Sequence, residues 1–227
     1  MITLGRLHSM LESLRSGFKR TISPIAKLLV RLGISANCVT IVGTIAVVII
    51  AFVTAFTKQF VVGTIFLTIF VLADSLDGSV AALTTGGTKF GAFLDSTLDR
   101  IADWSLFSSV CICLYNSHEK DMCTWISTLN GNAIKYVGLL SCLVALMAAF
   151  VTSYTRARGQ SINVDPKKGL ITRADRVAVI LVAMGLVGLT NQLFWLSFAM
   201  ILLAIGGIIT VFQRIFEVKH GLDIKDK

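Results

Sequence analysis

Long apolar stretches separated by short polar connections make up most of this chain. Each stretch is close to the ~20 residues that a helix needs to cross the hydrocarbon core of a bilayer, although the fifth is shorter. The six stretches are residues 38–56, 60–83, 89–115, 133–156, 175–190 and 194–216. The pattern therefore predicts an all-α integral membrane protein with six transmembrane helices.

The first 34 residues follow a different pattern, in which basic residues are interleaved with leucines. Their apolar residues recur at steps of three and four, which is the spacing of an amphipathic helix. These residues are Leu4, Leu7, Leu11, Leu14 and Phe18. We expect an amphipathic interfacial helix within the juxtamembrane segment 1–34, with its basic side chains near anionic lipid, followed by a six-helix transmembrane domain over 35–227. A solvated basic tail is the alternative.

Composition and charge agree with a membrane protein and indicate its orientation. The chain is 55% hydrophobic and only 15% charged, which excludes an ordinary soluble domain. Of the 21 Lys and Arg residues, 17 lie in the N-terminal segment, the second and fourth connections and the C-terminal segment. The opposite connections contain only Lys58, Lys120 and Lys135. The positive-inside rule therefore predicts that both termini are cytoplasmic. We expect this protein to associate with membrane lipids and not with nucleic acid.

Carboxylates are the unusual feature of the second and third stretches. Asp74 and Asp77 are three residues apart, and Asp95 and Asp99 are four apart, so each pair shares one face of its helix. A charged side chain at bilayer depth costs at least ~2.5–3.5 kcal/mol, so four unpaired carboxylates would cost roughly 10 kcal/mol. Asp103 continues the second face by one turn. Because the connection between the two stretches is short, the carboxylates can converge, and a bound divalent cation would offset the penalty.

Oxygen-only ligands favour Mg²⁺ or Mn²⁺ over zinc. Two other interpretations of the aspartates are ion pairs with Arg100 and the cytoplasmic arginines, or a path for cation transport. Gly78 and Gly91 remove side chains where a ligand would come close, and Ala81 is small, which favours phosphate chemistry.

The run from Asp74 to Asp99 resembles the motif of the CDP-alcohol phosphotransferases, D-x2-D-G-x2-A-R-x8-G-x3-D-x3-D. The matching residues, at the required intervals, are Asp74, Asp77, Gly78, Ala81, Gly91, Asp95 and Asp99. Ala82 stands where the motif has arginine, so a catalytically impaired member of the family is an alternative.

The resemblance implies six transmembrane helices, usually in a homodimer, and a polar cavity open to the cytoplasm. It implies transfer of a phosphoryl-alcohol unit from a CDP-linked donor to an acceptor hydroxyl, with release of CMP. The implied Mg²⁺ or Mn²⁺ ligands are Asp74, Asp77, Asp95 and Asp99, and Asp99 is the implied base. The implied binding site for CDP-diacylglycerol consists of Asn37, Asp77, Gly78, Ala81 and Gly91. Asn37 could instead cap the first helix.

Two runs in the fourth connection, residues 153–158 and 169–176, resemble the actinobacterial branch of this family that makes phosphatidylinositol phosphate. In that branch a basic pocket holds the phosphate of inositol phosphate. The implied phosphate ligands here are Arg156, Arg158, Arg173, Arg176 and Arg214. Arginine suits a dianionic phosphate because it forms bidentate hydrogen bonds. Ordinary positive-inside residues are the alternative.

The sequence thus predicts an enzyme of the bacterial cytoplasmic membrane that transfers a phosphatidyl group from CDP-diacylglycerol to the hydroxyl of inositol phosphate. Glycerol phosphate is the alternative acceptor, which would make the product phosphatidylglycerol phosphate. Divalent-cation transport is the alternative function from another class.

Overall fold

The computed structural model describes residues 24, 27–28, 30–73, 88–122 and 130–225, and within these residues every regular element is a helix. The helices are α1 Ala36–Thr57, α2 Phe60–Ala73, α3 Lys89–Tyr115, α4 Glu119–Met122, α5 Gly131–Ser161, α6 Arg173–Thr190 and α7 Phe194–Lys225. The predicted helix over the first residues lies outside the described part. So do residues 74–87 of the aspartate run, which include the motif positions Asp74, Asp77, Gly78, Ala81 and Ala82.

The helices confirm an all-helical, multi-pass membrane protein. Within the described residues, three helices are long and apolar enough to cross a bilayer, namely Ala36–Thr57, Gly131–Ser161 and Phe194–Asp223, and Phe60–Leu72 is a shorter apolar helix. The third and fifth predicted stretches correspond to α3 and α6, which are less apolar because each contains both carboxylates and arginines.

Helices α5 and α7 extend well beyond a hydrocarbon core. They contain 31 and 32 residues. At 1.5 Å per residue each is therefore more than ~45 Å long, against a core of ~30 Å. The polar residues near their C-terminal ends, including Arg156, Arg158 and Glu217, lie on this surplus length.

Short side chains define the starts of α1 and α3. The Cys38 N–H donates to Ser35 Oγ over 3.3 Å, so Ser35 is the N-cap of α1. The expectation that Asn37 could cap this helix is therefore wrong, since Asn37 already lies inside α1. Thr88 plays the same part for α3, where the Gly91 N–H donates to Thr88 Oγ1 over 2.9 Å.

The chain divides into two compact units. Unit 1 comprises residues 1–47 and 69–99, and unit 2 comprises residues 48–68 and 100–227. In unit 2, large apolar side chains such as Phe107, Met184 and Leu196 are fully buried. Helices α5 and α7 approach closely where Gly138 meets Ser197 and Gly207 meets Ala148. The outward faces of these helices expose large apolar residues, as expected for a surface in contact with lipid.

We predict that Gly138→Ala lowers the stability of the protein by about 1–3 kcal/mol through overpacking. A Cβ at Gly138 would lie 2.8 Å from Ser197 Cβ and 3.1 Å from Ser197 Cα, so the two helices would have to separate. The measurement is thermal unfolding of the purified protein in detergent.

Gly43→Ala is the matched control, because a Cβ at Gly43 meets no atom of the described residues within 4 Å. Alanine there is expected to leave stability unchanged or to raise it by up to about 1 kcal/mol, since glycine is a poor helix former. Equal unfolding temperatures for the two variants would contradict the proposed close packing at Gly138.

Candidate active site

In unit 1, the beginnings of α1 and α3 lie side by side. A Cβ built on Gly91 would lie 3.1 Å from Asn37 Oδ1 and 3.1 Å from Thr88 Oγ1. The structure thus brings together two residues predicted to bind the nucleotide, Asn37 and Gly91. A larger residue at Gly91 would push against the Asn37 amide, so the absence of a side chain there keeps this polar group in place.

Two of the four predicted metal ligands also lie in unit 1. Asp95 and Asp99 are half-buried on α3 and share one face, as their spacing predicts. Their oxygen donors fit a hard divalent cation. The described residues contain no group of three or more His, Cys, Asp or Glu side chains that could hold a metal. Because Asp74 and Asp77 lie outside those residues, the four-carboxylate site stays a prediction.

In unit 2, Asp103 forms a buried ion pair with arginines at the start of α6. Arg176 Nη2 lies 2.8 Å from Asp103 Oδ2, and the two side chains are only 5% and 2% exposed. Arg173 Nε lies 3.6 Å from Asp103 Oδ1 and is more accessible, at 33% exposed. The ion-pair interpretation therefore holds for Asp103, and it engages two of the arginines predicted to bind phosphate.

Arg214 is also buried, and its guanidinium contacts main-chain carbonyls. Its Nε donates to Lys168 O over 3.2 Å, and its Nη1 donates to Thr152 O over 2.8 Å. Arg156 and Arg176 both lie within electrostatic range of Arg214. Three of the five predicted phosphate ligands therefore lie near one another in unit 2, together with the carboxylates of Asp165 and Glu217.

Two of the five arginines, Arg156 and Arg158, lie near the C-terminal end of α5 and are exposed. Arg156 Nε donates to Asp165 Oδ1 over 3.3 Å, and Arg158 Nη1 donates to Ser161 Oγ over 3.2 Å. Partial desolvation acts to raise the pKa of Asp165, but hydrogen bonds from Gln160 and Arg156, with the charges of Arg156 and Lys167, keep that pKa below its usual value. Asp165 is therefore ionised at neutral pH and available to Arg156.

The sequence alone gave no role to Asp165 or to three polar residues of α7, namely Thr210, Gln213 and Glu217. All three contact the main chain of the segment that connects α5 to α6. The signal was present, since polar residues recur at steps of three and four in an otherwise apolar helix.

Comparison with known proteins identifies the family. Residues 33–212 match the family model of the CDP-alcohol phosphatidyltransferases. The chain therefore belongs to the CDP-alcohol phosphatidyltransferase family, which confirms the resemblance seen in the sequence.

Individual relatives cover most of the chain. A phosphatidylinositol phosphate synthase of Streptomyces avermitilis is 34% identical over 213 residues, which is 91% of this chain and 81% of that protein. The crystal structure of Mycobacterium tuberculosis phosphatidylinositol phosphate synthase with CDP-diacylglycerol bound is similar, with a TM-score of 0.75 and 32% identity over 88% of this chain and 94% of that one. The same enzyme in complex with manganese and citrate gives a TM-score of 0.72 and 32% identity over 87% and 88%.

We predict that Arg176→Leu destabilises the protein by about 3–5 kcal/mol, because it leaves the buried Asp103 carboxylate without its closest partner. The double variant Asp103→Leu/Arg176→Leu should recover much of this loss, since no buried charge of the pair then remains. Thermal unfolding of the wild type, both single variants and the double variant gives the coupling energy.

Arg158→Leu is the control, because Arg158 is exposed and is expected to change stability by no more than about 0.5 kcal/mol. A coupling energy near zero between Asp103 and Arg176 would show that the pair does not hold α3 to α6.

Proposed function

We propose that this protein is a phosphatidylinositol-phosphate synthase, which transfers a phosphatidyl group from CDP-diacylglycerol to the hydroxyl of inositol phosphate and releases CMP. The observation that carries the proposal is the similarity to the M. tuberculosis synthase with CDP-diacylglycerol bound, at a TM-score of 0.75 over 88% of the chain. The neighbouring Asn37 and Gly91 and the shared face of Asp95 and Asp99 support it.

On the donor side, Asn37, Asp77, Gly78, Ala81 and Gly91 bind CDP-diacylglycerol in this proposal. Glycine and alanine carry little or no side chain, which suits a close approach of the nucleotide, and Asn37 supplies a polar contact beside Gly91. Asp74, Asp77, Asp95 and Asp99 hold the metal, Mg²⁺ or Mn²⁺. When bound, that cation neutralises charge on the pyrophosphate oxygens.

Asp99 takes the proton from the acceptor hydroxyl. A general base has to lie within hydrogen-bond reach of the proton it removes. A position on a helix holds the Asp99 carboxylate in place for this. Asp95, one turn earlier on the same face of α3, keeps a second carboxylate beside it. The acceptor oxygen bonds to the phosphorus of the phosphatidyl group as the bond from that phosphorus to the CMP oxygen breaks, and CMP leaves.

On the acceptor side, Arg156, Arg158, Arg173, Arg176 and Arg214 supply the positive charge for the phosphate of inositol phosphate. Arg156, Arg158 and Arg173 are accessible enough to contact it directly. Arg176 and Arg214 are buried and mainly add positive potential. A dianionic phosphate is favoured over a neutral alcohol in such a field.

The same proposal covers the arrangement in the membrane. It places six spans in a bacterial cytoplasmic membrane, with both termini cytoplasmic and two copies forming a homodimer. The excess of Lys and Arg in the termini and the fourth connection supports this orientation. Because Ala82 stands in place of the motif arginine, Lys89 or another basic residue supplies the positive charge of that arginine in this proposal.

We predict that the purified protein releases CMP from CDP-diacylglycerol when Mg²⁺ or Mn²⁺ and inositol phosphate are present. Removing the divalent cation with EDTA should abolish release, because the pyrophosphate charge is then uncompensated. Glycerol phosphate in place of inositol phosphate tests the alternative acceptor. CMP release with glycerol phosphate alone would overturn the choice of acceptor, and no CMP release with either would favour a transporter or an inactive relative.

We predict that Asp99→Asn lowers kcat at least about 100-fold, because an amide cannot accept the proton of the attacking hydroxyl. The affinity for CDP-diacylglycerol, measured by titration calorimetry at saturating metal, should fall by a much smaller factor than kcat. Lys120→Gln, a change at an exposed residue of α4, serves as the control. Full activity of Asp99→Asn would exclude Asp99 as the base.

A further inference from the structure

The segment that connects α5 to α6 is bound along one face of α7 through its main chain. We call residues 164–171 the strap. The Lys168 N–H donates to Glu217 Oε2 over 2.9 Å, the Leu170 N–H to Gln213 Oε1 over 2.8 Å, and the Ile171 N–H to Thr210 Oγ1 over 3.0 Å. The three acceptors form a ladder on α7, and the strap runs antiparallel to that helix.

The spacing of the ladder matches the reach of the strap. From Thr210 to Glu217 the helix rises ~10.5 Å, and the three residue steps from Lys168 to Ile171 span at most ~10–11 Å. The strap is therefore long enough to follow the ladder, and the chain bends at Leu170 and Ile171. Thr210, Gln213 and Glu217 lie within ~60° around the helix axis, so one short segment can reach all three.

Two glycines extend this face at either end of the ladder. A Cβ on Gly206 would lie 2.8 Å from Ile171 Cγ1, and a Cβ on Gly221 would lie 2.8 Å from Val164 Cγ1. The helix rises ~22 Å between these glycines, and the seven residue steps of the strap span at most ~25 Å. The whole strap therefore follows α7.

Both ends of the strap are fixed by helix caps. At the end of α5, Asn163 has φ of 61° and the Val164 N–H donates to Gly159 O over 2.9 Å, which together form a Schellman motif. At the start of α6, Thr172 and Asp175 form a capping box. The strap thus passes directly into the turn of α6 that contains Arg173 and Arg176.

The strap contacts two of the five arginines in the proposed acceptor site and leads directly to a third. Asp165 accepts from Arg156, and the Lys168 carbonyl accepts from Arg214. Arg173 follows the strap by two residues, within the capping box. Displacing the strap would therefore move the anchor points of Arg156, Arg173 and Arg214 together.

We propose that Thr210, Gln213 and Glu217 are positioning residues for the phosphorylated acceptor. They do not contact it, but they hold the strap and, through it, the arginines that bind the phosphate. The inference rests on the proposed function, because it takes these arginines as the site of inositol phosphate.

The experiment compares Glu217→Leu with Glu217→Gln in the full-length protein in lipid nanodiscs. Both substitutions remove the negative charge, but only glutamine keeps an oxygen that can accept from the Lys168 N–H. Glu217→Leu should raise the apparent KM for inositol phosphate about fivefold, the effect of one hydrogen bond, and change the KM for CDP-diacylglycerol less than about twofold. Glu217→Gln should restore the wild-type KM.

Thr210→Val and Thr210→Ser form a second pair, in which only serine keeps the hydroxyl that accepts from Ile171. Trypsin adds a readout that does not depend on turnover, because Lys167 and Lys168 are exposed within the strap. Cleavage after these lysines requires the strap to detach, so it should be faster in Glu217→Leu and Thr210→Val than in the conservative variants.

An unchanged KM for inositol phosphate, or equal increases for donor and acceptor, would overturn the positioning role, as would failure of the conservative variants to restore the wild-type value. If the wild type does not use inositol phosphate at all, the proposed function itself is wrong and the positioning role is lost with it. The tryptic cleavage rates would still show whether the ladder holds the strap, which separates the two failures.

Discussion

A charge that leaves water has to meet an opposite charge, and the contact between Asp103 and Arg176 satisfies this requirement in unit 2. Both side chains are almost fully buried, with 2.8 Å between Arg176 Nη2 and Asp103 Oδ2. Removing Asp103 would leave Arg176 buried without this partner, and removing Arg176 would leave Asp103 with only the more distant Arg173. Because Arg176 belongs to the first turn of α6, the pair fixes where α6 meets α3. The strap that precedes α6 must therefore end at this point.

Much of the fold could be predicted from the sequence, because a bilayer imposes a simple rule on helix length and hydropathy. The stretch predicted over residues 89–115 coincides with α3, and those predicted to begin at 60 and 194 coincide with the starts of α2 and α7. The ends were less predictable. Helix α7 extends to Lys225 rather than 216, because its polar C-terminal turns bind the strap and need no apolar surroundings.

The candidate site could be predicted only in part. Motif spacing predicted Asp95, Asp99 and Gly91 as site residues, and the structure adds that Gly91 lies beside Asn37. The partners of the arginines could not be predicted, because they depend on tertiary contacts between distant residues. Asp103 and Arg176 are 73 residues apart in the sequence, and Arg214 and Thr152 are 62 apart. Composition indicated a basic surface. It did not indicate that some of these arginines are buried and form contacts inside the protein.

The strap is recognised through its main chain, and this affects which sequence changes it can accommodate. Thr210, Gln213 and Glu217 accept hydrogen bonds from main-chain N–H groups, which every residue except proline carries. The side chains of Lys167, Lys168 and Leu170 are therefore free to vary. Gly169 is the exception, because a Cβ there would lie 2.7 Å from Thr210 Cγ2. An inserted or deleted residue would shift the donors by ~3.3 Å relative to their acceptors. Divergence in this connection should therefore preserve its length more strictly than its composition.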